Sequence, residues 1–384
     1  MRILVLDTIH GGAELAGALR GAGHEADEVD VYRGKAGTSI EEALVRTYDL
    51  VTAPVHLDPD HPLLRRHGPA VSHHEMVQRV LEERLPHPFI EITGARGKTT
   101  TAHALASLLP GPGILHTSTG TYRYPERELL WKKSITPASL IAAAHEAERI
   151  GGWLVAEESL GVTGAGDVAV LTSTEDYPIA AGKKQAIAEK CRLLSRARRI
   201  VLPPGIDLPG ATAADGMVSF EGQTCRFSGN GISGAFANPL CTLAGYRTPL
   251  MLAAATACVL GVDPSPLGRF AALPGRMAAR REGDLLILDN ANSGTNIATT
   301  VEAARYAREL SGNGPLTIVI GEEARAVCEG FSAEDVRRTV AAIEPAATVY
   351  VGEGHPAATI DAGLAIARSI TPAGAIVLAV KTWR

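Results

Sequence analysis

At 384 residues the chain is too long for one ordinary domain, and 46% hydrophobic with 21% charged residues is the mix of a folded protein with a sizeable core. A net charge of -5 argues against nucleic acid or an acidic membrane as a partner, because either needs a concentrated basic face. Five cysteines, Cys191, Cys225, Cys241, Cys258 and Cys328, form no C-x-x-C pair, which disfavours a zinc ribbon or a disulfide framework and fits a reducing cytoplasm.

The first elements alternate. A strand over residues 3–6, a helix over 11–22 and a polar strand ending near Val31 and Tyr32 give the βαβ order of a Rossmann-like unit. The apolar start is too short for a signal-peptide core, and no later run approaches the ~18 residues of a membrane span. A Pro- and His-rich passage over 54–69 and a helix over 75–84 lead to Pro86 and Pro88, so the first domain is expected to be 1–85. The second, 86–262, opens with a strand over 89–92, a glycine turn over 94–97 and a helix over 98–109; buried strands follow over 153–156, 168–172 and 199–202. Such apolar strands between helices predict a mostly parallel sheet covered on both faces. From 263 to 384, strands over 285–288, 316–320, 348–351 and 375–380 alternate with helical stretches and predict a third, Rossmann-like domain.

The strongest chemical signal is Gly94-Ala95-Arg96-Gly97-Lys98-Thr99-Thr100, set between a strand and a helix as a phosphate loop requires. Glycines let backbone N–H groups close on phosphates, the Lys98 ammonium neutralises the outer oxygens, and a hydroxyl, that of Thr99, ligates Mg²⁺. The longer P-loop spacing would need a glycine where Ile92 stands. The shorter G-x-x-G-K-T-T form fits better, and it resembles that of the Mur ligases and folylpolyglutamate synthases.

The Mur ligase resemblance runs in order over nearly the whole chain. It implies an α/β, three-domain architecture: a Rossmann-like N-terminal domain, a central P-loop ATPase domain with a mostly parallel sheet, and a Rossmann-like C-terminal domain. It also implies ATP and Mg²⁺, carboxylate activation through an acyl phosphate, and release of ADP and phosphate. By the same resemblance Glu157, in Trp153-Leu154-Val155-Ala156-Glu157-Glu158-Ser159, binds Mg²⁺. Lys190, in Ala188-Glu189-Lys190-Cys191-Arg192-Leu193-Leu194, matches a lysine that many members carbamylate, turning a cation into a metal-binding anion. Arg276, in Pro274-Gly275-Arg276-Met277, would contact nucleotide phosphates, and Asp289, opening Asp289-Asn290-Ala291-Asn292-Ser293-Gly294-Thr295-Asn296, would lie near the ribose. Lys98, Glu157 and Lys190 are thus the expected catalytic set, and Thr99, Glu157 and Lys190 the expected metal set. Without the resemblance, Glu157 reads as an exposed carboxylate at a strand end. Lys190, with Lys183 and Lys184 nearby, then reads as one charge on a solvated helix face.

Four positions depart from the family pattern: Thr172 replaces an Asn, Tyr177 a metal-binding His, Pro249 an adenine-contacting Asn, and Asn292 a His. Val5-Leu6-Asp7-Thr8-Ile9-His10-Gly11-Gly12, the phosphate loop Gly94-Ala95-Arg96-Gly97-Lys98-Thr99-Thr100 and Asp289-Asn290-Ala291-Asn292-Ser293-Gly294-Thr295 together resemble the branch of the family that closes a carbocyclic ring on a nickel tetrapyrrole in methanogens. The partner implied is a small-molecule polycarboxylate, for which Arg65, Arg66, His67, His73, His74, Arg123, Lys132 and Lys133 are candidate contacts. The histidines between His56 and His74 lack a tight ligand spacing and read as surface-loop residues before a metal site. An amide ligase and a non-catalytic nucleotide-binding module are the other readings of the chain.

Overall fold

The protein is described by a computed structural model over residues 1–34, 36–68, 70–81, 85–323 and 330–382. Cys328 and Arg84 lie outside the described residues. The chain forms two compact units, Met1–Phe270 and Ala271–Arg384.

The first unit holds two parallel-type sheets. In the smaller, the strands Glu25–Val29, Arg2–Leu6, Leu50–Ala53 and Val71–Ser72 lie side by side, all parallel. The second expected strand ends at Val29 rather than near Tyr32, because Asp30 begins a turn that accepts the N–H groups of Tyr32 and Arg33 on its carboxylate. The larger sheet runs Thr212–Ala213, Ile200–Leu202, Val168–Leu171, Phe89–Thr93, Trp153–Glu157, Gly113–Thr117, Gly120–Tyr124 and Glu128–Trp131. It is parallel up to Gly113–Thr117 and antiparallel beyond. One buried cluster takes Ile3, Val5 and Leu15 from the small sheet's module together with Phe89, Ile114 and Leu154 from the large one, so the two share a core. Ion pairs across the same junction join Lys133 to Glu14 at 2.7 Å and Arg196 to Glu75 at 3.3 Å.

A three-stranded antiparallel layer, Val218–Glu221, Thr224–Gly229 and Ile232–Ala237, packs beside the long helix Ala244–Leu260. The second unit is a five-stranded sheet in the order Ala278–Glu282, Leu285–Asp289, Gly374–Lys381, Leu316–Glu322 and Ala347–Val351, parallel except for its first strand. Among the described residues no helix is long and apolar enough to cross a membrane, and Cys191, Cys225, Cys241 and Cys258 carry free thiols.

His73 and His74, expected in a surface loop, instead open the helix His73–Leu81 and are fully buried. Burial lowers His73 to about 4 and His74 to about 3. Both stay neutral in the fold while the unfolded chain takes up protons below about 6.5. Their contribution to stability is complete above that pH and is lost as pH falls toward 4, at about 1.4 kcal/mol per pH unit for each ring. Urea unfolding between pH 6 and 5 should therefore show a steep slope that His74→Gln reduces by about one proton. An unaltered slope in that variant would contradict the buried, neutral ring.

Candidate active site

The strand Phe89–Thr93 is buried throughout and delivers the chain to Gly94, whose φ of 148° is glycine territory. A Cβ there would lie 2.1 Å from the Thr172 hydroxyl oxygen, so the turn admits no side chain. Gly97, left-handed at φ 82°, caps the helix Lys98–Ala106, which ends three residues earlier than its apolar pattern suggests. The adjoining strand end braces this turn. The Ser173 hydroxyl accepts from the N–H groups of Ala95 at 2.9 Å and Arg96 at 3.3 Å, and the Thr172 hydroxyl donates to the Arg96 carbonyl. Thr172, at the place of the usual Asn, therefore buttresses the loop. Pro249 sits buried inside the helix Ala244–Leu260, its ring 3.3 Å from where a Gly97 Cβ would stand.

Directly over the helix start lies Glu157, 2% exposed and so no surface carboxylate. Its Oε2 accepts from the Thr99 hydroxyl at 2.9 Å, the Ser118 N–H at 3.1 Å and the Ser118 hydroxyl at 3.3 Å, while Oε1 stands 3.8 Å from Lys98 Nζ. Lys98 also donates to the Gly94 carbonyl at 2.9 Å. Strand alternation sends the next residue the other way. Glu158 is fully buried, and burial, then the charge of Glu91, raise its carboxyl well above the usual range. Of the two glutamates it is Glu157 that belongs to the phosphate loop. Ser118 was not foreseen; it lies in the Thr117-Ser118-Thr119-Gly120 turn between two strands that the sequence reading did not register.

Lys190 is wholly buried on the helix Ala186–Leu194 rather than solvated. Its Nζ lies 4.8 Å from the centre of the Tyr177 ring, the residue standing where the family has a His. Burial, then the positive charge of Lys98, lower its pKa to about 8. Such an amine is neutral in appreciable fraction near neutral pH, the form able to react with carbon dioxide. In the second unit Asp289 accepts from the Gly275 N–H at 3.2 Å and the Ala291 N–H at 3.1 Å, so Arg276 follows a turn anchored on that carboxylate. Asn292, at the place of the usual His, closes the same turn by donating to the Gly275 carbonyl at 2.6 Å.

The proposed polycarboxylate contacts are mostly engaged within the protein. Arg65 pairs with Asp60, Arg123 with Glu146 and Lys133 with Glu14, and His67 meets the Ala43 carbonyl. What the geometry offers is a glycine cradle, the hard oxygens of Thr99 and Glu157 2.9 Å apart, and the Lys98 cation 3.8 Å from the Glu157 carboxylate. Those are the ingredients that hold a nucleotide's phosphates and Mg²⁺.

Comparison with known proteins agrees with this layout. Residues 279–382 match the family described as "Coenzyme F430 synthetase CfbE, C-terminal domain". A coenzyme F(430) synthetase of Methanosarcina acetivorans is 31% identical over 86% of this chain and 85% of its own length. That of Methanocaldococcus jannaschii is 23% identical over 51% of this chain and 50% of its own. Among solved structures, the UDP-N-acetylmuramoylalanyl-D-glutamyl-2,6-diaminopimelate--D-alanyl-D-alanyl ligase of Acinetobacter baumannii has a TM-score of 0.55 at 14% identity, covering 97% of this chain and 95% of that one. The MurF ligase of Thermotoga maritima, solved in complex with ADP, has a TM-score of 0.51 at 14% identity, covering 89% and 87%. These likenesses give the three-domain Mur ligase fold, and the identity over most of both chains places this protein in the coenzyme F(430) synthetase family.

Proposed function

We propose that this protein uses ATP to phosphorylate a propionate side chain of a nickel tetrapyrrole and that a ring carbon then displaces the phosphate, closing a carbocyclic ketone with release of ADP and phosphate. One observation carries the reading: Thr99, Ser118 and Glu157 converge beneath Lys98 at the mouth of a glycine turn, in a chain of this family. Thr99 and Glu157 would hold Mg²⁺, which supplies positive charge to the transferring phosphoryl oxygens when bound. Backbone N–H groups from Gly94 to Thr100 bind the phosphates, and Lys98 exchanges the Gly94 carbonyl for a phosphate oxygen. Lys190, as its carbamate, would supply a further anion to hold the metal.

Phosphate is a good leaving group, so catalysis consists mainly of neutralising charge and of holding the carboxylate against the γ-phosphate, then the acyl carbon against its nucleophile. The experiment is ATP turnover with the open-ring tetrapyrrole acid and Mg²⁺ in the absence of any amine. Turnover that depends on the acid alone supports cyclisation; turnover that begins only when an amino acid is added makes the protein an amide ligase.

A further inference from the structure

The strands Arg2–Leu6 and Leu50–Ala53 are parallel neighbours, so the loops leaving their carboxyl ends meet, as ligand-binding loops of open α/β sheets do. Asp7 follows the first strand, is buried, and takes φ 93°, a left-handed conformation that a residue with a side chain adopts at a cost. Its Oδ1 accepts from the Ile9 N–H at 2.7 Å, and its Oδ2 lies 2.8 Å from His10 Nδ1. That contact sets the tautomer: Nδ1 carries its hydrogen toward the carboxylate, and Nε2 is left as an acceptor. From the second loop His56 meets His10 edge-on, ring centres 4.8 Å apart, and Tyr32 stacks on His56.

His10 and His56 open into a cavity of about 250 Å³ whose further walls include Val55, Pro137, Ser159 and Leu160. Ser159 stands two residues beyond Glu157, a reach of at most about 7 Å along the chain. The cavity therefore adjoins the carboxylate-activating centre, and its walls suit the apolar edge of a ring system better than a phosphate.

Ring closure, the function on which this inference rests, removes an oxygen from the carboxylate and a hydrogen from the attacking carbon. Lys98 is a cation, and Glu157 is engaged by Thr99 and Ser118. We propose that His10 Nε2 is the general base that accepts the proton of the attacking ring carbon. The carbon's π electrons form the new C–C bond as the acyl C–O bond breaks and phosphate leaves with that electron pair. The C–H bond then gives its proton to Nε2 and its electrons back to the ring, and Asp7 stabilises the imidazolium until it passes the proton to solvent.

The groups facing His10 are Asp7, Arg33, Tyr32 and His56, with His73 and His74 neutral across the cavity. The hydrogen bond from Asp7 raises the imidazole pKa, and burial and then the charge of Arg33 oppose it. Closure should fall as pH drops through that raised value.

The test uses the whole enzyme with ATP, Mg²⁺ and the tetrapyrrole acid. Hydroxylamine trapping of the acyl phosphate is read beside the ring-closed product. In His10→Gln the ratio of closure to hydroxamate should fall by roughly 10²–10⁴-fold, with loss of the acidic limb of the closure profile. In Asp7→Asn that limb should move to lower pH. A wild-type ratio in His10→Gln, an unmoved limb in Asp7→Asn, or equal loss of hydroxamate and product would each overturn the assignment. Failure of the wild-type protein to close the ring at all overturns instead the reading of its function.

Discussion

Lys98→Ala is expected to lower ATP-dependent turnover by about three orders of magnitude while the protein stays folded. The ammonium of Lys98 meets the Gly94 carbonyl at 2.9 Å and the Glu157 carboxylate at 3.8 Å. Its removal therefore deletes a point charge that phosphate oxygens need and little of what holds the sheet together. A second readout follows from electrostatics. The charge of Lys98 helps to depress Lys190, so in Lys98→Ala the Lys190 amine should titrate higher than its value of about 8. Mass measurement of intact protein and a turnover assay decide the matter: a folded variant that turns over ATP normally removes the phosphate-loop assignment.

Lys190→Ala is expected to cost about 10²-fold or more in turnover, with part returning on addition of formate or acetate. Among the described residues the buried amine has no hydrogen-bond partner, and it faces the Tyr177 ring; burial and the charge of Lys98 outweigh the opposing charges of Asp176 and Glu175, which are poor conditions for a cation and good ones for a neutral amine that captures carbon dioxide. With a pKa of about 8, roughly a tenth of the amine is neutral at pH 7, and a carbamate drains that fraction. Removing dissolved carbon dioxide from the wild-type protein should slow turnover, and bicarbonate should restore it. Full activity in Lys190→Ala, or an active enzyme whose Lys190 is a free amine by mass, contradicts the carbamate and leaves Glu157 and Thr99 as the metal-binding groups.

The phosphate loop could be read directly because its chemistry is local: two glycines, a lysine and a hydroxyl within seven positions, between an apolar strand and a helix. The strands of the second unit were legible for a related reason, being buried on both faces, as Leu285–Asp289 and Gly374–Lys381 are, and so appearing as continuous apolar runs. The layer Val218–Ala237 escaped notice because its strands are half exposed and short. Its signal was Asn230-Gly231, both at positive φ, the turn that favours a tight hairpin. The edge strands Glu128–Trp131 and Ala278–Glu282, and Gly120–Tyr124 next to the first of them, were missed for the same lack of an apolar run, and with them went Ser118.

Asp7, His10 and His56 lay beyond any local reading. Forty-odd residues separate the last from the first two, and only the parallel pairing of Arg2–Leu6 with Leu50–Ala53 brings their loops together, with side-chain ligand atoms within 4.8 Å of one another. Burial was equally hard to foresee for His73, His74 and Lys190, polar residues in polar stretches of sequence whose surroundings come from elsewhere in the chain, the Ser159 carbonyl at His74 and the Tyr177 ring at Lys190.

The most direct test of the central claim is the mass of the tetrapyrrole after incubation with the protein, ATP and Mg²⁺, with every amine omitted. Ring closure predicts a product lighter than its acid by one water, formed in step with one ADP and one phosphate. A folded, ATP-binding protein that leaves the acid's mass unchanged, and consumes ATP only once an amino acid is supplied, would contradict it.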